Sequence, residues 1–226
     1  MDKPIQTASL SEQVYQVLKQ QIIERKVKPN DKLDINALAE ELGVSRTPIL
    51  DALTRLEVDR LVVSKNRVGT YVAPLDRAMY EEIFDARLMV ENWAIQQASE
   101  HLTEQRVEAL HDLLRRSAQL LVGVDAETFD YRSFIKYDQN FHLALIEVCS
   151  NSRVSEFYRS LNIHIQIARV YALRPLNRSI EGQGEHEAIL QHLANHDVKN
   201  ALKAQQYHLE RSRENVLRSL ERYQQL

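Results

Sequence analysis

Glycine and proline are rare in this chain, five of each in 226 residues, and their placement constrains the fold more than any other feature. Pro29, Gly43, Pro48, Gly69 and Pro74 all fall within the first 75 residues. From Leu75 onward the pattern turns into long helical periodicity with few residues that break a helix. The spacing predicts two domains: a small, turn-rich one over 1–75 and an all-helical one over 76–226, joined near Pro74-Leu75-Asp76. The sequence shows no internal repeat and no low-complexity tract.

The first part reads as three helices and a hairpin. Val14, Val17, Leu18 and Ile22 share one helical face and predict a helix from about Ser11 to Glu24. A short second helix is predicted over Ile35 to Leu42, and a third from Ser45 to about Asp59. Leu61-Val62-Val63 and Thr70-Tyr71-Val72 read as strands joined by the polar Ser64-Lys65-Asn66-Arg67 and Gly69. The second part reads as an antiparallel bundle of about six helices, near 77–100, 103–121, 130–149, 152–173, 181–194 and 197–222. Thr103 and Asn151 stand where N-caps belong. The fold class is therefore mainly α, an N-terminal winged helix-turn-helix followed by a helical bundle.

Composition sets outer bounds. The formal net charge of −3 excludes a globally basic nucleic-acid coat, but a sequence-specific binder needs only a local basic surface. Cys149 is the only cysteine, so an intrachain disulfide and a CxxC-type zinc site are both excluded. The N-terminus lacks the apolar core of a secretory signal, and no stretch approaches a membrane span. These features together predict a soluble cytoplasmic protein with no membrane partner.

The segment Leu38 to Ile49 carries a mechanism. Two helices crossing at a steep angle need a small residue at their contact, here Ala39, and a turn residue tolerant of positive φ, here Gly43. Val44 and Ile49 pin the pair, Ser45 is positioned to cap the second helix, and Pro48 sits where backbone N–H groups lack helical partners anyway. That second helix would lead with Ser45, Arg46 and Thr47 into a major groove of double-stranded DNA. The hairpin, with Arg67 at its tip, would be the wing.

Val14-Tyr15, Leu38 through Pro48 with its Ser45-Arg46-Thr47-Pro48 core, Ala52-Leu53, Leu56-Glu57 and Asn66-Arg67 with Gly69 and Val72 together resemble the winged helix of GntR-type regulators. The resemblance covers about residues 10 to 73 and implies that Arg46 and Thr47 contact operator DNA. The chain departs from the family's habit at Leu50, where Arg is usual. It departs again at Arg60, where Gly is usual, and at Pro29-Asn30, where Pro-Gly is usual. The Leu50 substitution removes an expected DNA contact, for which Arg55 or Arg60 is a candidate replacement.

In the second part, Asp138 and His142 lie i, i+4 on one face of a helix, on a stripe shared with Phe134, Phe141, Leu145 and Cys149. A carboxylate on such a stripe needs a partner or a metal. His186 and His208 lie at similar distances on either side of the predicted turn at Asn195-His196-Asp197, so the two face each other across a helical hairpin. Three imidazoles and one carboxylate suit a divalent transition metal such as Zn, Ni or Mn. By spacing alone, these residues read equally well as core or surface histidines. Arg87 shares a face with Ile83, Val90 and Ala94, and an inward Arg needs an anion: either the carboxylate of a small effector or an acid such as Glu91. His164 reads as a core or cavity residue, and His101, His111, His192 and His196 as solvated.

Asp138-x-x-x-His142 with His186 and His208, Ile83-x-x-x-Arg87-x-x-x-Glu91 and Glu185-His186-x-x-Ile189 resemble the FCD effector domain of the FadR branch of that family. The resemblance covers about residues 77 to 220. It implies that Asp138, His142, His186 and His208 hold a metal at the centre of the bundle. One departure is His196-Asp197, where Gly-Asp is usual. The implied protein is a homodimeric repressor, released from its operator by a small organic acid bound beside the metal and clamped by Arg87. The alternative is a regulator for which the metal itself is the signal. A metalloenzyme is disfavoured, since no strong general base accompanies the ligands and the helix-turn-helix would go unexplained.

Overall fold

The computed structural model describes residues 9–170 and 175–224. Contacts divide the chain into two units, Met1–Asp76 and Arg77–Leu226. The first contains α1 (Leu10–Ile23), β1 (Lys32–Leu33), α2 (Ile35–Leu42), α3 (Arg46–Val58), β2 (Val62–Lys65) and β3 (Gly69–Val72). The second contains α4 (Arg77–His101), α5 (Glu104–Gln119), α6 (Tyr131–Val148), α7 (Ser152–Val170), α8 (Pro175–Ala194) and α9 (Val198–Gln224), with no strand among the described residues. The fold is mainly α, a winged helix-turn-helix and a six-helix domain.

Local chemistry sets the ends of the first unit's helices. Asp34 caps α2, its carboxylate accepting from the N–H groups of Asn36 and Ala37 at 2.8 and 3.1 Å. Gly43 ends it at φ +64° and turns the chain toward α3. Ser45 occupies the N-cap of α3 with extended backbone, but its side chain makes no capping bond, unlike the expectation. Ile49, Ala52, Leu53 and Leu56 form the buried stripe of α3. Burial of each of the larger aliphatic chains contributes about 1.5–3 kcal/mol. On α1 the buried face is Val14, Tyr15, Leu18 and Ile22, whereas Val17, expected on that face, is exposed. A 3.6-residue repeat carries Val17 off the line joining Val14, Leu18 and Ile22.

The hairpin β2–β3 pairs in register Val62↔Val72 to Lys65↔Gly69, and β1 adds antiparallel to β3, giving the order β1-β3-β2. The two-residue β1 has too little periodicity to be read from sequence. Gly69 is required at its position: φ is +134°, and a Cβ there would lie 2.9 Å from Cε of Lys32.

Three departures from family habit share one backbone property. Asn30, Arg60 and His196, each where glycine is usual, adopt φ of 70°, 57° and 56°. The chain keeps the left-handed turn in each case and places a side chain on it, at roughly 1–2 kcal/mol of local strain for a residue such as Arg60.

In the second unit Thr103, Asp130 and Asn151 accept from backbone N–H groups at the starts of α5, α6 and α7. A buried cluster including Ile95, Leu110, Leu114, Phe141, Leu145, Ile189, Leu190 and Ala201 joins α4, α5, α6, α8 and α9. A second one ties Val90 and Ala94 to Ile146 and Tyr158. Helix α8 begins at Pro175, six residues before its expected start at 181, because Pro is well tolerated at the first helical position. The extension brings Arg178 and Ser179 onto the helix. Residues 171–174, where the preceding helix was expected to end, lie outside the described residues. Among the described residues no helix is long and apolar enough to cross a membrane.

Candidate metal centre and nucleic-acid interface

Asp138 and His142 on α6, His186 on α8 and His208 on α9 are all buried, and their ligand atoms lie within 4.8 Å of one another. The Nε2 atom of His186 lies 3.1 Å from Nε2 of His142, 3.3 Å from Nε2 of His208 and 3.7 Å from Oδ1 of Asp138.

Outer carboxylates stand behind two of the rings and hold one of them by a hydrogen bond. Nδ1 of His208 is 2.7 Å from Oε2 of Glu185. An ionised carboxylate can only accept, so the proton sits on Nδ1 and the Nε2 lone pair points to the centre. Glu185 is in turn gripped by Arg178 at 2.8 and 2.6 Å. Nδ1 of His142 stands 2.9 Å from Oε2 of Glu91 but off the direction of a good hydrogen bond. Glu91 also accepts from Arg87 at 2.7 Å, Tyr158 at 2.9 Å and Gln205 at 2.6 Å. Asp138 spends Oδ2 on Arg169 and leaves Oδ1 toward the histidines.

The electrostatics follow from this arrangement. Burial, reinforced by the neighbouring imidazoles, pushes His186 and His208 well below the ordinary histidine range. Burial alone would raise the Asp138 carboxyl, yet Arg169 and the three histidines hold it well below the usual carboxylate range. Glu91 is likewise held low against its burial by Arg87 and His142. Neutral imidazoles beside an ionised carboxylate are the protonation states a metal requires.

The donor set fits a divalent transition metal. Ring-nitrogen lone pairs that face one another at 3.1 and 3.3 Å repel unless a proton or a cation lies between them. Tetrahedral ligands about 2.0 Å from a zinc ion lie about 3.3 Å apart.

Sequence reasoning names the four residues that the structure brings together, and leaves Arg87 open between an effector and Glu91. In the structure Arg87 is fully buried and paired with Glu91, while its Nη1 has no hydrogen-bond partner among the described residues. Tyr158, Gln205, Arg169 and Arg178 were not anticipated. Gln205 alone carried a usable signal, lying three residues before His208 on the same helical face. His164 is half-buried on α7, outside the cluster.

On the first unit Ser45, Arg46, Thr47 and Arg67 are exposed, and so are Leu50 and Thr54 on the same side of α3. Arg55 also reaches solvent but is engaged, paired with Glu12 and lying 4.2 Å over the Tyr15 ring.

A winged helix of this form, chained to a helical domain with a buried three-histidine centre, defines a DNA-binding transcription regulator. The chain belongs to the gntR family of bacterial regulatory proteins, whose model matches residues 10–72, and carries an FCD domain over residues 82–211. It is 25% identical over 179 residues to the uncharacterized HTH-type transcriptional regulator YdhC of Bacillus subtilis, spanning 79% of this chain and 78% of that protein. Over 138 residues it is 34% identical to the HTH-type transcriptional regulator McbR of Escherichia coli, covering 61% of this chain and 60% of the other. The solved structure of E. coli McbR/YncC superimposes with a TM-score of 0.76 at 24% identity, covering 96% of this chain and all (100%) of that one. The gluconate operon transcriptional repressor of B. subtilis is 24% identical over 159 residues, 70% of this chain and 63% of that protein. These relatives are regulators, and the chain is a regulator rather than an enzyme.

Proposed function

We propose that this chain is a cytoplasmic, homodimeric repressor, released from operator DNA when a small organic acid binds beside a divalent metal in the helical domain. Residues 1–75 form the DNA-binding domain and 76–226 the effector domain. The observation that carries the effector half is the buried cluster of Asp138, His142, His186 and His208, with Glu185 bonded to the His208 ring and Glu91 2.9 Å from Nδ1 of His142. Asp138, His142, His186 and His208 would hold a divalent metal, Zn, Ni or Mn, whose Lewis acidity would attract a carboxylate wherever its coordination number exceeded four.

The residues of this chain have separable tasks. Glu185 holds the proton on Nδ1 of His208 and so keeps Nε2 free for the metal. Arg169 keeps Asp138 charged. Arg87 places an unpartnered Nη1 in the same buried network and is our candidate for attracting the effector carboxylate by its charge, while Arg169 and Arg178 line the cavity beside Asp138 and His208. On DNA, Ser45, Arg46 and Thr47 would enter the major groove and Arg67 would reach the adjacent backbone or minor groove. Arg55 would contribute if DNA phosphate displaced Glu12. Two such helices of a dimer would read half-sites about 34–36 Å apart. The gluconate operon relative is named a repressor, which supports that direction of control.

The test is the pair of variants His186→Ala and His208→Ala. Each should lose the metal on dialysis and lose release from DNA by any acid that releases the wild type. Full acid response in a metal-free double variant sinks the proposal. A second reading, in which the metal itself is the signal, draws support from the small size of the cavity beside Asp138 and His208, about 30 Å³. It requires that chelation alone changes DNA affinity.

A further inference from the structure

The cavity of about 30 Å³ touches two of the four donors, Asp138 and His208, and both Arg169 and Arg178. Space for one buried water is about 10–15 Å³, so this cavity admits a carboxylate group and little more. The body of any larger acid has to lie elsewhere.

A groove of about 240 Å³ lies on the outer side of the same wall, between α8 and α9. Arg178 and Asn215 line both spaces. Four arginines, Arg178, Arg211, Arg218 and Arg222, face Glu181 and Glu214, and Arg178 is also held by Glu185 behind the wall, so the groove carries one positive charge in excess. Its ion pairs are incomplete. Arg211 divides between Glu181 at 3.2 Å and Glu214 at 3.3 Å, and its Nε is buried with no hydrogen-bond partner. Arg218 meets Glu214 only at 3.5 Å, and Arg222 makes no ion pair among the described residues. A structural surface network would match its charges, whereas this one has guanidinium donors to spare.

We propose that this groove is the outer half of the effector site and that the effector is an elongated diacid. One carboxylate occupies the inner cavity beside Asp138 and His208, the chain passes Arg178, and the second acid group is held by Arg218 and Arg222. The proposal rests on the ligand-plus-metal function given above.

The experiment is calorimetric titration of the full-length, zinc-loaded protein with unbranched dicarboxylates from malonate to adipate, and with monocarboxylates of matching length. At least one diacid should bind about tenfold or more tightly than its monoacid, the effect of one charge-assisted contact. In Arg218→Gln/Arg222→Gln, both exposed and so not expected to disturb folding, the ratio of diacid to monoacid affinity should fall to near unity. Metal-dependent binding with no preference for diacids overturns the outer subsite and leaves the metal-site function standing. So does a preference that survives the double substitution. Absence of metal-dependent binding by either class overturns both.

Discussion

Glu185→Gln separates the orienting carboxylate from the ligands it serves. The native side chain accepts from Nδ1 of His208 at 2.7 Å and from two nitrogens of Arg178 at 2.6 and 2.8 Å. All three contacts need an acceptor. A glutamine of the same shape offers one carbonyl oxygen and one NH₂ group, so at least one contact becomes donor against donor. With its oxygen toward His208 the amide still accepts from Nδ1, but as a neutral and weaker acceptor than the carboxylate, so the Nδ1 proton is held less firmly and Nε2 is a poorer donor to a metal. Loss of such an outer-sphere carboxylate weakens metal binding about 10–100-fold, or about 1.4–2.7 kcal/mol. Competition against a chelator of known affinity measures the change directly. Thermal unfolding at fixed free metal should show a matching loss of metal-dependent stabilisation. Comparing stripped and loaded protein removes the part due to leaving Arg178 without its partner. Zinc affinity within about twofold of the native protein would refute the orienting role.

Three further outcomes are expected. Arg60→Gly should stabilise the first unit by about 0.5–1 kcal/mol, the left-handed strain of about 1–2 less the extra unfolded-state entropy of glycine; an unchanged or lower urea midpoint contradicts this. In metal-stripped protein, His186 and His208 are held below their ordinary 6.5, so the native state binds fewer protons than the unfolded chain. Stability should therefore fall as pH drops below about 6.5, and equal urea midpoints at about pH 7.5 and about pH 5.5 would argue otherwise. On an operator selected from random duplexes, Arg46→Ala should weaken binding by about 1–3 kcal/mol, and Arg67→Ala should lower the salt dependence by about one counterion; a variant indistinguishable from wild type removes that residue from the interface.

The parts legible in sequence were those with strong local grammar. Gly43 announced the turn, and the i, i+4 pair Asp138 and His142 announced a ligand face, because both depend on residues a few positions apart. His186 and His208 were reachable because one short turn fixes their relative height. What escaped was long-range: β1 exists only through its pairing with β3, and Tyr158 meets Glu91 from a different helix. Arg169 and Arg178 belong to the same class, since a buried arginine is recognised only once its acid is found opposite. The start of α8 escaped for another reason: the apolar spacing becomes regular only near 181, while the helix already opens at Pro175.

The four donors come from three helices, and 70 residues separate the first from the last. The unfolded chain therefore offers no equivalent pocket, and a metal held there binds the folded bundle alone. At a free concentration a hundred times its dissociation constant, such an ion adds about 2.7 kcal/mol to the bundle's stability. In a cell, opened molecules are those that proteases remove, so metal supply would set the lifetime of the regulator as well as its response. On the metal-dependent function proposed above, a starved cell would hold fewer copies of the regulator.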